Sequence, residues 1–229
     1  MAFDIDPELQ QWIDLLQSPE EGDRLLAVKT LQHLGDEGAI QPLMTALQDP
    51  SAGVQKLAVT TLWEFANPVA VPGLIECLSS PNPEVREEAK SALGELVSGD
   101  HLLLLLDALQ RDSIPMQLSV LYLLRKIHDV QCLPYVLPFF ESDHADLREA
   151  AVTTLRYLNQ VERCQPAIDL MDDPEPTVRR EATLTLGHLA DDTVVPRLIR
   201  ALTADPDWQV RRNAAKYGSG RTPDSGRDR

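Results

Sequence analysis

One small residue returns along this chain with an almost fixed step: Ala27, Ala58, Ala89, Val120, Ala151, Ala182 and Ala214. The step is 31 residues except for the last, which is 32. Four positions on, the column reads Leu31, Leu62, Leu93, Leu124, Leu155 and Leu186. Three further on it reads Leu34, Phe65, Leu96, Ile127, Leu158 and Leu189. Offsets of i, i+4 and i+7 predict a single apolar stripe on a helix. The second half of each unit keeps the same beat in Leu43, Leu74, Leu105, Val136, Ala167 and Leu198, then Leu47, Leu78, Leu109, Phe140, Met171 and Leu202. Repetition at this period narrows the folds severely. A unit so short cannot bury its own apolar face, so neighbouring units must stack.

Turn residues separate the two stripes, as in Gly35-Asp36-Glu37-Gly38 and Asn67-Pro68. Each unit is therefore two short helices. The expected fold is all-α, a right-handed α-solenoid of six helical hairpins with a half-repeat at each end. The hairpins span about 18–48, 49–79, 80–111, 112–142, 143–173 and 174–204. Residues 7–16 read as a lone second helix and 205–216 as a lone first helix, within one body over 1–216. The Gly-, Ser- and charge-rich segment 217–229 breaks the pattern and is expected to be a disordered tail.

A net charge of −15 argues against a nucleic-acid backbone as partner, because phosphate binding needs clustered Lys and Arg. The longest apolar run, 101–109, is too short to span a bilayer. The acidic start MAFDIDPEL lacks the features of a secretory signal. Three cysteines without close pairing fit a reducing compartment, so a cytoplasmic protein is expected.

The consensus DPxxxVRxxAxxxLGxLxDxxVVPxLIxAL is clearest at 173–202 and weaker at 49–78. It resembles the short HEAT-like repeat of the phycobilisome-lyase type, over roughly residues 7–216. The resemblance implies the hairpin solenoid just described. It also implies a link to phycobilisomes, on thylakoids, through phycobiliprotein subunits, with the phycocyanin α-subunit foremost. Relatives of this type include heterodimeric bilin lyases and the NblB group of phycobilisome-degradation proteins, whose length is nearer to this chain's. Generic scaffolds share the repeat. On this reading phycocyanobilin is a substrate or product, with no resident cofactor, and a client cysteine is joined to a bilin vinyl group. Another HEAT-repeat protein or a second copy is a further partner.

The charged columns of the motif are read as structural. Asp49, Asp173 and Asp205, each followed by Pro, suit helix-entry turns, and Arg24, Arg86, Arg148, Arg179 and Arg211 share one column. An Arg–Asp ladder is expected, with each Asp coming from the turn before its Arg. No nucleophile–base pair and no metal spacing stands out among the histidines and cysteines. Cys77 and Cys164 fall in apolar columns; Cys132 lies in a mixed one near a helix start, and of the three it alone has an alternative to packing, exposure at that helix start, although packing is expected for it too. The outward rows of the second helices form the expected concave docking face. Glu76, Asp107 and Asp169 make that face acidic and suited to a basic client, with or without bilin chemistry. The fourth unit departs most, with Pro115, Pro134 and Pro138 and the aromatics Tyr122, Tyr135, Phe139 and Phe140. In the column Gln32, Trp63, Gly94, Arg125, Arg156, Gly187, three large residues replace small ones. Trp63, Arg125 and Arg156 join Tyr122, Tyr135 and Phe139 as candidate client or ligand contacts, the arginines for bilin propionates; repacking between adjacent hairpins explains the same residues without a ligand.

Overall fold

A computed structural model describes residues 7–158, 165–189 and 194–218. All regular structure among them is helical. The chain divides into two compact units, 1–123 and 124–229.

In the first unit a lone helix α1 (Pro7–Leu15) precedes three hairpins. These are α2 (Glu21–Leu34) with α3 (Ile40–Ala46), α4 (Ala52–Glu64) with α5 (Val71–Cys77), and α6 (Pro83–Leu96) with α7 (Leu102–Leu109). The unit closes inside α8 (Ile114–Ile127). α2 packs on α4 and α4 on α6. The second unit takes the end of α8, then α9 (Leu133–Val136), α10 (Ala145–Leu158) with α11 (Gln165–Asp169), α12 (Pro176–Leu189) with α13 (Val195–Ala204), and α14 (Trp208–Gly218). Here α10 packs on α12 and α12 on α14. The expected helical-repeat solenoid is the fold.

The core follows the two inward columns. Ala27, Ala58, Ala89, Val120, Ala151, Ala182 and Ala214 are all fully buried, as are Leu31, Leu62, Leu93, Leu124 and Leu155. Small residues let the first helices approach, and each buried Leu contributes about 2 kcal/mol of hydrophobic stabilisation. The third column is weaker. Leu158 is buried, but Leu34 is 41% exposed because it sits in the last turn of α2.

Local chemistry starts or stops several of the helices. Ser51 accepts from the N–H groups of Gly53 and Val54, and Asn82 accepts from Glu84 N with Pro83 in the first turn. α2 ends at Gly35 with φ 65°, and the equivalent turns place Ala66 at φ 50° and His128 at φ 55°. The fourth unit has the shortest second helix. Pro138 lacks an N–H and crowds the carbonyl four residues back, so α9 stops at Val136 and continues as a 3₁₀ turn over Leu137–Glu141.

Candidate functional site

Three arginines repeat one set of contacts. Arg24 Nη1 donates to the carbonyls of Ser18 and Pro19, while Nε and Nη2 donate to the Asp49 carboxylate at 2.6 and 3.0 Å. Arg148 binds Ser142 O and, at 2.7 and 2.9 Å, Asp173. Arg179 binds the carbonyls of Asp173 and Pro174 and, at 2.8 and 3.0 Å, Asp205. The carboxylate belongs to the following turn, not the preceding one as expected; the preceding turn offers carbonyls instead. Hydrogen bonds to Asp raise all three guanidinium pKa values against the opposing effect of burial. A neutral version joins the next pair. Gln55 donates to Asp49 O at 2.8 Å and accepts from Ser80 Oγ at 3.5 Å. These rungs tie hairpins together and do no chemistry.

The outward row of the second helices is exposed at each of Thr45, Glu76, Asp107, Pro138, Asp169 and Arg200. Its charge is mixed. In the first unit Arg111 Nη1 reaches both oxygens of Glu76, at 2.7 and 2.8 Å, and Nη2 reaches Asp107 at 3.1 Å. In the second, Arg197 pairs with Asp172 and lies 4.0 Å from Asp169, and Arg200 lies 3.6 Å from Asp172. Beside Asp107, Leu103 is 78% exposed and Leu104 42%.

The other candidates do not converge on one site. Trp63 Nε1 donates to Glu95 at 2.9 Å, 32 residues on, as Gln32 does to Glu64. Tyr122 lies under the Lys90 ammonium, 5.7 Å from the ring centre. Tyr135 is exposed and Phe139 half-buried, both on the second-helix side of the fourth unit.

Arg125 and Arg156 do meet, in an open cleft of about 430 Å³ that Tyr157, Asp146, Glu149 and Glu181 also line. Arg156 Nη1 donates to Glu181 at 3.1 Å, and its guanidinium lies 5.6 Å from the Tyr157 ring centre. Among the described residues Arg125 hydrogen-bonds neutral groups, Nε to Thr154 Oγ1 at 3.3 Å and Nη2 to Ala150 O at 3.1 Å. Burial pulls its pKa below the ordinary arginine value, yet a guanidinium stays charged. The cleft thus holds a half-buried cation without a directly bonded carboxylate, beside an exposed aromatic face. The offset of 32 between Trp63 and Glu95 recurs between Arg125 and Tyr157, and this spacing pairs the arginine with that aromatic.

Cys132 is fully buried, so the packed role expected of it holds and the access its mixed column offered is not realised; Cys77 is buried as expected. Burial pushes the Cys77 thiol up to about 12 and Cys132 up to about 11. Cys164 lies outside the described residues, as does 219–229 of the expected tail. Among the described residues, no group of three or more His, Cys, Asp or Glu side chains could hold a metal, and no helix is long and apolar enough to cross a membrane.

Comparison with known proteins places the repeat. A chain from the complex of CpcE and CpcF of phycocyanin lyase from Nostoc sp. PCC7120 aligns at 21% identity over 96% of this chain and 97% of its own, with a TM-score of 0.45. YibA of E. coli aligns at 14% identity over 93% of this chain and 82% of its own, with a TM-score of 0.59. A chain of the Kap95p–RanGDP complex gives a TM-score of 0.58 at 14% identity, over 91% of this chain and 35% of that one. No curated protein sequence matches. The HEAT repeats family matches residues 9–94, 43–125, 71–156 and 164–219, and so takes in most of the chain. With the stacked hairpins and their Arg–Asp rungs, that match makes the chain a member of the HEAT-repeat family.

Proposed function

We propose that this HEAT-repeat protein holds a phycobiliprotein subunit, the phycocyanin α-subunit first among candidates, while an open-chain tetrapyrrole is attached to it or removed from it. The observation that carries the reading is the Arg125–Arg156–Tyr157 cleft. A half-buried guanidinium with neutral partners suits a propionate, and the neighbouring aromatic face suits a flat conjugated ring system. The repeat consensus at 173–202 adds the phycobilisome-lyase resemblance. Cys77 and Cys132 are held as neutral thiols, which supports taking the reacting sulfur from the client, as the lyase resemblance implies. In attachment the client's sulfur bonds to the outer carbon of the exocyclic C=C on the bilin's terminal ring and its proton ends on the ring carbon, which needs no oxidant. Detachment, the direction of the NblB-type resemblance, is the reverse elimination. Phycocyanobilin is then substrate or product, the site of action is the phycobilisome in the cytoplasm, and a second HEAT-repeat chain is a natural co-subunit.

The test is to mix the purified protein with phycocyanin α-subunit and with free phycocyanobilin, following visible absorption and co-elution. A spectral change or a co-eluting complex supports the reading. An unchanged spectrum with no complex overturns it.

A second reading is a non-catalytic adaptor for a basic client unrelated to bilins. It is favoured by Glu76 and Asp107, two exposed carboxylates sharing the single cation Arg111, next to the exposed Leu103. It expects salt-sensitive binding that charge reversal at Glu76, Asp107 and Asp169 abolishes, with pigments untouched.

A further inference from the structure

We propose that Arg86 is an open rung: a preset receptor for a carboxylate that another molecule supplies. Arg86 Nη1 donates to the carbonyls of Ser80 and Pro81 at 2.7 and 3.1 Å. Arg24 and Arg179 make the same pair of contacts with their own preceding turns. In those two, and in Arg148, the free edge of the guanidinium, Nε and Nη2, meets an Asp 25 or 26 residues on. The equivalent of that Asp for Arg86 is position 111, and it is an arginine.

Arg111 does not crowd the fork, because Glu76 and Asp107 draw its guanidinium to the second-helix row. No ion pair joins Arg86 to any carboxylate among the described residues. Arg86 is half-buried as a residue, its Nη1 is anchored as in Arg24 and Arg179, and its free edge has no carboxylate partner among the described residues. This differs from the neighbouring rung, where Gln55 faces Ser80 and both members are neutral. Here one member stays cationic and the other becomes cationic too. The site is reachable by analogy with its equivalents: Asp49 and Asp205 line open clefts of about 340 and 270 Å³. Paired parallel N–H donors match a carboxylate's two oxygens better than any neutral acceptor. The inference concerns a different unit from the Arg125 cleft and stands apart from the functional reading above.

The test follows the Arg86 Nε–Hε resonance of the 15N-labelled protein at constant ionic strength. Probes are sodium acetate, acetyl-alanine with a free carboxylate, acetyl-aspartate amide, and acetyl-alanine amide as the neutral control. A saturable shift with the carboxylates and none with the amide is expected. The stronger of the two amino-acid probes says whether a chain terminus or an acidic side chain is the natural ligand. In R111D the new carboxylate fills the fork, and the shift is lost. No shift in the wild type, or an equal shift in R111D, overturns the proposal. A stability cycle guards against a trivial loss of folding. R111D should melt above R111A when Arg86 is present and not in an R86Q background; a gap that survives in R86Q counts against the open rung.

Discussion

Asp173 joins two rungs at once: its carboxylate takes Nε and Nη2 of Arg148, and its backbone carbonyl takes Nη1 of Arg179 at 2.9 Å. One residue of the turn thereby fixes the first helices on both sides of it, α10 and α12. The side chain is buried and the Arg148 side chain nearly so.

Removing that carboxylate leaves a buried guanidinium edge without an acceptor. Asp173→Ala is expected to cost on the order of 2 kcal/mol. Asp173→Asn, which keeps an acceptor oxygen, should cost less. Urea unfolding of both variants, read at the midpoint with an unchanged slope, checks the order.

Acid should loosen the C-terminal rung. Burial works to raise the Asp205 carboxyl, but the Arg179 hydrogen bonds, the Asp207 N–H and the charges of Arg179 and Arg211 outweigh it, so its pKa lies below the ordinary aspartate value. A depressed carboxyl contributes stability that is complete above its unfolded pKa, about 3.9, and is lost as pH falls through the folded value. Asp205→Asn should therefore lower stability at neutral pH and flatten its loss below about pH 4, as thermal melts across that range would show.

Ala66 holds a left-handed conformation at the turn where Gly35 performs the same task. A side chain there costs about 1 kcal/mol. Ala66→Gly should thus stabilise the protein by up to roughly that amount, less the backbone entropy that glycine loses on folding. A rise in Tm is the expected result.

Gly187 has the opposite requirement. A Cβ there would overlap Cγ and Cδ2 of Tyr217, whose ring lies on α12 from α14. Gly187→Ala should displace the ring and cost about 1–3 kcal/mol. Tyrosine fluorescence and faster amide exchange along α14 would report it.

Arg125→Met separates packing from charge. Replacing a half-buried cation that has no direct carboxylate partner by an apolar chain of similar length should leave Tm unchanged or raised. If the cleft holds a propionate, pigment affinity should fall roughly tenfold or more, since a charge-assisted pair is worth about 1.5–3 kcal/mol.

The inward columns were legible because a buried position tolerates few side-chain shapes and the step between repeats hardly varies. Ala58 and Leu62 could be read as core from spacing alone. The direction of the rungs could not, since a column gives the residue types and not which of two turns a long arginine grips. The partial neutralisation of the acidic face was hidden for a similar reason: Glu76 and Asp107 were visible in their row, while Arg111, which stands where Asp49 and Asp173 stand in their units, lies outside that row and reaches it only through its long side chain. The mixed column of Cys132 left exposure open beside packing, and the 3₁₀ turn over Val130–Cys132 settles it by carrying the thiol inward. The cleft at Arg125 needed the partner helix, because Tyr157 becomes a neighbour only when adjacent hairpins stack.

Since every Arg–Asp clasp closes within 26 residues of the chain, cutting just after the aspartate leaves it with the segment that needs it. A 31-residue block such as 143–173 therefore leaves with its own clasp, so this architecture can grow or shrink in whole blocks without stranding a buried charge.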